Sequence, residues 1–518
     1  MIGFDGKTIP PGIQSFIEQN HIGFIILFSR NIESYSQVKN LTDHIHSLGS
    51  SPPLIYTDQE GGTVVRFDEM AATVVSPMGI AATGSPDNAE TAGRLIGEDM
   101  FKCGIDGVFA PVLDVNTEEN NPVIGVRSFS DNPETVIQYA DAFRKGLNKA
   151  GILSCGKHYP GHGAASADSH LEIPEIRVSQ SFFMQYCLAP FTELARKGID
   201  SILTAHVRYP EIRPEICTFS EYMVNDLLRK QNGFNRVVFT DCLEMKAIKD
   251  NYIPEEIVRN VISAGLDVMI PSHSFDFQEE LLDVLRVYVR KGIISENRLD
   301  ESIARIDKLR ERAKELQKEQ SRIRKEVTAT PLRMNIAQEK RIADESITII
   351  KNSSGLIPLK KEKRTLILEW SRRVWGPSAA DHSIRSMIEE TSGIYFENRD
   401  YVLLKPDQAL PEDLVDRIKT NKEDYDYVLV FIYSRTGKLN TSQTESVRHL
   451  LSIRRDAVVI SLENPYEVKK FPEADSFLVT YGFRKIQIEA LFNVITGGMV
   501  PMSRLPVTIK NIKEENER

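Results

Sequence analysis

Short apolar runs alternate with amphipathic helical stretches over the first half of the chain, and this alternation constrains the fold more than any other feature. Seven such runs occupy 22–28, 53–57, 107–112, 151–155, 200–205, 236–240 and 266–271. They are almost continuously apolar, as parallel strands covered on both faces should be. Strands that alternate with helices in this way predict a parallel sheet.

Polar side chains come directly after several of these predicted strands. Asp58 follows the second, Lys157 and His158 follow the fourth, His206 follows the fifth and Asp241 follows the sixth. Chemically able residues at the carboxyl ends of several strands are typical of a (β/α)8 barrel. We therefore predict such a barrel, in which the eighth strand is either the IGF segment near the start of the chain or missing.

The second half of the chain predicts a separate domain. A long helix is expected from Ile303 to about Lys325, with one narrow buried face formed by Ile303, Ile306, Leu309, Ala313 and Leu316. VTATPL (327–332) breaks it, so we expect a barrel at 1–327, a linker at 328–334 and a second domain at 335–518. The runs ITIIK, TLILEW, YVLVFIY, AVVISL and SFLVTYG predict an α/β three-layer sandwich there. It offers no comparable cluster of histidines and carboxylates, so we expect the chemistry in the barrel.

One polar loop, KHYPGHGAASADSH at 157–170, carries much of the chemical signal. It ends in Asp168-Ser169-His170, which places a carboxylate two residues from an imidazole. An aspartate that fixes the tautomer of a histidine makes it a competent proton shuttle. The alternative for a lone Asp-x-His in a loop is local hydrogen bonding without chemistry.

Two rival sites in the same loop are weaker. A metal site could use His158, His162, Asp168 and His170, but Pro160 and Gly161 prevent a helical H-x-x-x-H face and no dense ligand set follows. A nucleotide site at Gly161-His162-Gly163 lacks both a third glycine and an acidic residue at the end of the next strand. We therefore expect neither a metal nor a cofactor.

Charge and composition limit the partners. The formal net charge of -9 argues against a nucleic-acid-binding surface, which needs a basic excess. No run approaches eighteen apolar residues, and the N-terminal MIGFDGKTIPPG lacks the features of a secretory signal. The five cysteines are odd in number and suit a reducing compartment. We expect a cytoplasmic protein without nucleic-acid or membrane partners, whose oligomeric state is left open.

The polar loop resembles the signature of glycoside hydrolase family 3, in the branch of the β-N-acetylglucosaminidases, where K-H-x-P-G-H-G is followed by D-S-H. Other blocks are similar and stand in family order: YTDQEGG (56–62), FAPVLDV (109–115), NPVIGVRSFS (121–130), LTAHV (203–207), FTDCLEM (239–245), SITIIKNSSGLIPL (346–359) and SRLPVTI (503–509). The blocks run from residue 56 to residue 509, so the resemblance extends over nearly the whole chain.

The resemblance implies roles for the reacting residues. Asp241 matches the family nucleophile, His170 its general acid/base and Asp168 the group that orients the histidine. From the residues alone, Asp241 could equally be the N-cap of a helix, and Glu244 is its local rival. If His170 is not the acid/base, Glu60 and the carboxylates of the second domain are the first alternatives.

The resemblance also implies a sugar-binding set, formed by Asp58, Arg66, Arg127, Lys157 and His158. Cationic donors and a carboxylate acceptor suit a ring of hydroxyl groups. Each of these residues taken singly could instead form a salt bridge at the barrel rim. His206 either contacts substrate or is a satisfied core histidine, and His162 is expected to fix the loop.

Together the resemblance implies a retaining exo-β-N-acetylglucosaminidase that acts on small saccharides such as GlcNAc–MurNAc fragments in peptidoglycan recycling, through a glycosyl-Asp241 intermediate. Three alternatives stay open. They are a phosphorylase that transfers the same sugar to phosphate, a β-glucosidase of the same family, and a weakly catalytic glycan-binding sensor.

Overall fold

The computed structural model of this protein describes residues 1–169, 172–323, 332–370, 385–420, 424–434 and 439–510. In its first part, the described residues form a curled parallel sheet of seven strands and two short antiparallel hairpins. The strands are β1 (Phe24–Leu27), β2 (Leu54–Thr57), β3 (Gln59–Gly61), β4 (Val64–Val65), β5 (Gly107–Val108), β6 (Leu153–Tyr159), β7 (Ser201–Thr204), β8 (Arg208–Tyr209), β9 (Arg213–Ile216), β10 (Val237–Cys242) and β11 (Val268–Ile270).

The order of strands in the large sheet is β1-β2-β5-β6-β7-β10-β11, and neighbouring strands pair in parallel. All seven predicted strands are therefore confirmed. One detail differs, because Lys157, His158 and Asp241 lie within the last residues of β6 and β10 instead of after them.

Helices surround this sheet in the described part of the chain. They are α1 (Pro11–Asn20), α2 (Tyr35–His46), α3 (Pro77–Ala82), α4 (Pro86–Lys102), α5 (Pro133–Lys149), α6 (Gln180–Phe182), α7 (Ala189–Lys197), α8 (Lys246–Lys249), α9 (Pro254–Ala264), α10 (Phe275–Arg290) and α11 (Glu296–Ile323). Two more loosely wound π-helical segments occupy Phe183–Leu188 and Tyr222–Gln231. Several of the helices begin with proline, whose fixed φ and missing N–H suit the first helical position.

Large aromatic side chains fill the interior of the sheet. Phe24, Tyr56, Phe109 and Phe239 come from four different strands or strand ends, and their ring centroids lie 5.1–5.6 Å apart in the closest pairs. Side chains that point inward from a parallel barrel pack in this way and leave no pore.

The segment near the start of the chain lies between the two edge strands β11 and β1. Ile2 forms a parallel bridge with Ile25, and the Ile2 amide donates to the Phe24 carbonyl at 3.1 Å. A Cβ on Gly3 would stand 2.2 Å from the Ser272 carbonyl oxygen, so only glycine permits this approach beside β11. The IGF segment thus takes the place of the eighth strand.

The long predicted helix is confirmed as α11, which covers the amino-terminal end of the sheet. Leu309, Ala313 and Leu316 are buried in the same cluster as the interior aromatics. The predicted buried face was wrong at its start, because Ile303 is 53% exposed. In this part of α11, Arg298 donates to the Ile262 and Leu266 carbonyls and Arg305 donates to Asp267, while Leu299 and Ile306 are only partly buried.

A second sheet follows after the gap in the described residues. Its strands are β12 (Thr348–Asn352), β13 (Thr365–Trp370), β14 (Arg399–Leu404), β15 (Tyr427–Ile432), β16 (Val458–Ser461) and β17 (Ser476–Val479), in the order β12-β17-β16-β15-β13-β14. Five of these strands were predicted. β14 was missed because it is an edge strand whose side chains are mostly half-buried and partly charged. β12 is antiparallel to β17, and the other pairs are parallel.

Helices cover both faces of this second sheet within the described ranges. They are α12 (Ile336–Ser346), α13 (Arg385–Tyr395), α14 (Glu412–Thr420), α15 (Thr441–Ile453) and α16 (Lys485–Ile495). Successive residues of β13 belong to opposite faces, since Ile367 packs in the cluster with α16 while Leu366 and Leu368 pack in the cluster with α14 and α15. The predicted three-layer sandwich is confirmed.

The predicted linker at 328–334 falls largely on residues outside the described ranges, which end at Ile323 and resume at Leu332. The domain boundaries therefore stay a prediction. None of the helices in the described ranges is both long and apolar enough to cross a membrane.

Candidate active site

The predicted site residues converge at the carboxyl ends of the barrel strands. Asp58 follows β2, Lys157 and His158 end β6, and Asp241 lies near the end of β10. Because parallel strands finish at the same edge of a sheet, residues separated by almost two hundred positions meet at one mouth of the barrel. Arg66 and Arg127 reach this mouth from the loops that follow β4 and β5.

Two carboxylates and three cations form one buried charge network at this mouth. Lys157 Nζ lies 2.8 Å from Asp58 and 2.5 Å from Glu60. Arg66 binds the other oxygen of Asp58 at 2.7 Å. Arg127 binds both oxygens of Glu60 at 2.9 Å, the bidentate geometry that a guanidinium forms with a carboxylate. The structure thus brings four of the five predicted sugar-binding residues into mutual contact.

The network keeps its members charged despite their burial. Burial alone would raise the pKa of Glu60, but Arg127 and Lys157 outweigh it and bring the pKa down to about 2. The pKa of Asp58 is likewise held well below its usual range by Lys157 and Arg66 against the opposing effect of burial. Burial would lower the pKa of Lys157, yet Asp58 and Glu60 raise it. Glu60 is therefore an ionised partner of arginine, which makes it a poor general acid.

His158 joins the network through a residue that the sequence did not single out. Asp114 is fully buried, and it accepts hydrogen bonds from His158 Nδ1 at 2.7 Å and from the His162 amide at 2.6 Å. With the proton on Nδ1, the Nε2 of His158 accepts from Arg127 at 3.2 Å. A lone aspartate within the apolar run FAPVLDV was the available signal for Asp114.

Asp241 is half-buried, and hydrogen bonds link it through the Cys242 peptide to His206. One of its oxygens accepts from the Cys242 amide at 2.7 Å. The Cys242 carbonyl in turn lies 3.1 Å from His206 Nε2, and the Nδ1 of His206 lies 2.8 Å from the Thr218 hydroxyl. His206 is 1% exposed, so its geometry favours support of the Asp241–Cys242 peptide over contact with a substrate.

Glu244, the local rival of Asp241, is occupied by the backbone of the next strand end. Its two oxygens accept from the amides of Ser272, His273 and Ser274 at 2.6–2.7 Å. A carboxylate that satisfies three amides just before α10 acts as a cap. This contact makes Glu244 unsuitable as a nucleophile.

The D-S-H loop is described up to Ser169, whereas His170 and Leu171 lie outside the described residues. Asp168 is half-buried, and the Ser169 hydroxyl lies 2.9 Å from Nε2 of His162. Tyr209 donates to the Gly161 carbonyl at 2.7 Å. Burial lowers the pKa of His162 to about 4, which fits a neutral histidine that fixes the loop. The role of His170 as acid/base stays a prediction.

Both halves of the chain match the two domains of one known family. Residues 8–309 match the N-terminal domain of glycosyl hydrolase family 3, and residues 347–518 match its C-terminal domain. This chain belongs to glycosyl hydrolase family 3. The resemblance seen in the sequence motifs is thereby confirmed, and the family 3 chain is a glycoside hydrolase.

Similar proteins cover most of this glycoside hydrolase. It is 38% identical over 273 residues to a β-hexosaminidase of Neisseria meningitidis serogroup C, a match that spans 51% of this chain and 75% of the relative. It is 27% identical to β-hexosaminidase A of Pseudoalteromonas piscicida over 97% of this chain and 92% of the relative. The solved structure of a family 3 β-N-acetylglucosaminidase from Paenibacillus sp. str. FPU-7 superposes with a TM-score of 0.87 at 29% identity, covering 98% of this chain and 97% of that one.

The residues that the structure describes contain no group of three or more His, Cys, Asp or Glu side chains arranged to hold a metal ion. In the loop at 157–170, the ring of His158 and the backbone amide of His162 both form hydrogen bonds with Asp114.

Proposed function

We propose that this glycoside hydrolase is a retaining exo-β-N-acetylglucosaminidase that removes terminal β-linked GlcNAc from small saccharides. The observation that carries the proposal is the network of Asp58, Glu60, Lys157, Arg66 and Arg127, at the same mouth of the barrel as Asp241. Its charged groups are fixed before any ligand arrives, so they can exchange hydrogen bonds with sugar hydroxyls without reorganising. The similarity to β-hexosaminidases and to a β-N-acetylglucosaminidase supports the choice of sugar.

In the proposed first step, Asp241 attacks the anomeric carbon and the bond to the leaving oxygen breaks. His170 gives its proton to that oxygen, while Asp168 holds the imidazole in the required tautomer. A glycosyl-Asp241 ester and a free acceptor saccharide result. In the second step His170 takes a proton from water, the water oxygen attacks the same carbon, and Asp241 leaves as a carboxylate. Two displacements give net retention.

A histidine suits this acid/base role on electrostatic grounds. It is neutral when it accepts a proton and cationic when it donates one, so it never places a second negative charge beside Asp241. Glu60 is a poor substitute because Arg127 and Lys157 hold its pKa at about 2. We also propose that the enzyme acts in the cytoplasm, on GlcNAc–MurNAc fragments released during cell-wall recycling.

The test compares chromogenic aryl glycosides with and without phosphate. Aryl β-GlcNAc should be cleaved much faster than aryl β-glucoside, because a pocket built around an acetamido group leaves polar atoms unpaired when that group is missing. The first-formed sugar should be the β-anomer by NMR. Equal rates on both sugars would indicate a β-glucosidase, a sugar 1-phosphate product would indicate a phosphorylase, and binding without turnover would indicate a sensor.

A further inference from the structure

One segment of the barrel, residues 58–76, carries three members of the charge network: Asp58, Glu60 and Arg66. We propose that Arg484, in the second domain, is a positioning residue that holds this segment in its working geometry. The role rests on the proposed function, since the segment matters through the sugar it would bind. Arg484 would act on the site through this segment.

The side chain of Arg484 crosses from the second domain to the barrel. Its Nε donates to the Gly62 carbonyl at 2.6 Å, and one terminal nitrogen forms an ion pair with the Asp68 carboxylate. The guanidinium is largely buried, with 12% of the side chain exposed, so the pair is shielded from solvent. Gly62 follows Glu60 by two residues and Asp68 follows Arg66 by two, so both contacts lie beside members of the charge network.

The turn that Arg484 contacts is built on two glycines. Gly61 and Gly62 have φ of +93° and +58°, conformations that glycine adopts without strain. A Cβ on Gly62 would lie 2.5 Å from Ser76, so the hairpin and the end of the segment are pressed together. Fixing the Gly62 carbonyl therefore fixes the whole β3–β4 turn.

The end of the segment is also held by the second domain. The Ser76 hydroxyl donates to the Tyr481 carbonyl at 2.7 Å, and the Thr73 amide donates to Glu339 at 3.2 Å. Tyr481 has φ of +54°, which is uncommon for a residue with a side chain and places its carbonyl toward the barrel. Four contacts from three residues of the second domain, Arg484, Tyr481 and Glu339, thus secure this segment of the barrel.

The remaining members of the site are placed by the barrel itself. Lys157 and His158 lie in β6, and Asp241 lies in β10. The sugar would therefore bind between one wall fixed by the barrel sheet and one wall fixed by the second domain. Loss of Arg484 should let Asp58, Glu60 and Arg66 shift relative to Asp241, and a misplacement of about 1 Å is worth on the order of 10²-fold in rate.

The test uses the full chain with Arg484→Met, which removes both contacts, and Arg484→Lys, which keeps a cation opposite Asp68. Asp68→Asn breaks the ion pair from the barrel side. Asp68 has φ of +39°, a conformation that asparagine also tolerates, so this change isolates the charge. Gln338→Ala is the matched control, because it removes a 2.6 Å contact between α12 and Arg94 of α4 on the outside of the barrel.

We expect kcat/KM on aryl β-GlcNAc to fall about 10- to 100-fold in Arg484→Met. The fall should be equal for good and poor leaving groups, and inhibition by free GlcNAc should weaken in parallel. Arg484→Lys and Asp68→Asn should lie between Arg484→Met and wild type, whereas Gln338→Ala should match wild type. Hydrogen exchange should rise in residues 58–76 of Arg484→Met and stay unchanged in β6 and β10.

Unchanged kinetics in Arg484→Met and Asp68→Asn would overturn the inference. Exchange that rises evenly over both domains would overturn it too, because Arg484 would then be a general structural contact. The exchange measurement does not depend on activity. If the wild-type chain fails to cleave any aryl β-GlcNAc, the proposed function fails, while local loosening of 58–76 would still support the positioning contact.

Discussion

The two ends of the barrel both bury carboxylates, but they satisfy them in different ways. At the amino-terminal end, Asp106, Asp200 and Asp267 precede β5, β7 and β11. Each accepts the backbone amide of a neighbouring strand at 2.7–3.0 Å, from Ile55, Ser154 and Val238 respectively. Each is also contacted by a side chain of α11, namely Gln317, Arg312 and Arg305. These aspartates tie strands to one another and to the helix that covers them.

At the carboxyl end, Asp58 and Glu60 pair with long cations from other loops and strands, whereas Asp114 and Glu244 accept backbone amides there as well. Asp58 and Glu60 both pair with Lys157. Asp58 also pairs with Arg66, and Glu60 also pairs with Arg127. These residues lie in loops or near strand ends. Such side chains can exchange one partner for a hydroxyl, whereas a strand amide cannot move without unfolding the sheet. Burial and pairing alone therefore do not identify a functional carboxylate, since Asp267 also binds two arginines. The three aspartates at the amino-terminal end share a bond to a strand amide, whereas the contacts of Asp58 and Glu60 given above come from side chains.

The largest expected effect is that of removing the charge of Asp241, the predicted nucleophile at the carboxyl end of the barrel. Asp241→Asn should lower turnover by at least about 10⁴-fold and leave the unfolding transition close to that of wild type, because the chemistry needs the ionised oxygen and the fold does not. Steady-state kinetics and thermal unfolding measure both. An inverted first product by NMR would exclude the two-step mechanism.

His170→Ala should have the second largest effect. The rate of cleavage of a natural disaccharide should fall about 10²–10⁴-fold, and the rate at which an activated aryl glycoside glycosylates the enzyme should fall less. A nitrophenolate leaves without a proton, whereas a sugar alkoxide does not. Azide should partly restore the second step, since it needs no base, and Asp168→Asn should show a weaker version of the pattern. An equal loss on both substrates without rescue would assign His170 to binding or structure.

Asp267→Asn, at the amino-terminal end of the barrel, should lower the free energy of unfolding and leave the steady-state kinetics unchanged. It leaves Arg229 and Arg305 without their carboxylate in a buried position, which typically costs about 3–5 kcal/mol of unfolding free energy. Denaturant unfolding would measure this loss. KM and the turnover per folded molecule should match wild type, and a changed KM would show that the two ends are coupled.

Asp58→Asn, at the carboxyl end of the barrel, is the variant matched to Asp267→Asn. It makes the same chemical change in a carboxylate that also binds two cations. We expect kcat/KM to fall about 10²-fold, because an amide no longer orients Lys157 and Arg66 toward a sugar. The loss of stability should be smaller than in Asp267→Asn, because Lys157 keeps Glu60 as a partner. If Asp58→Asn lost more stability than Asp267→Asn, and Asp267→Asn lost more activity than Asp58→Asn, the two ends of the barrel would not differ in this way.

The smallest expected effect is a pH dependence of the free energy of unfolding, caused by His162 at the carboxyl end of the barrel. His162 titrates at a pKa of about 4 in the folded state, against an ordinary value of 6.5. Between these values the unfolded chain binds a proton that the folded chain does not, so stability falls as pH drops through this window. Lowering the pH from 7 to 5 should cost wild type about 2 kcal/mol more than it costs His162→Gln. Parallel curves for the two proteins would contradict the assignment.

Strand positions and their polar ends could be predicted from the sequence because parallel strands buried on both faces require unbroken apolar runs. The edge strand β14 was missed for the same reason, since its exposed side leaves it mixed in composition. The start of α11 was predicted with a buried Ile303, because periodicity shows which residues share a face but not how far the neighbouring sheet extends.

The sequence by itself determined the barrel, the sandwich, the family and the residues gathered at the carboxyl edge, because each of these follows from local pattern or from motifs. Tertiary structure alone decided which of those residues pair. It placed Glu60 between Arg127 and Lys157, joined His158 to Asp114, and turned Glu244 into a backbone cap. It also brought Arg484 to Gly62 across more than four hundred positions. Contacts of this kind depend on distances in space between elements, and no periodicity in one chain encodes them.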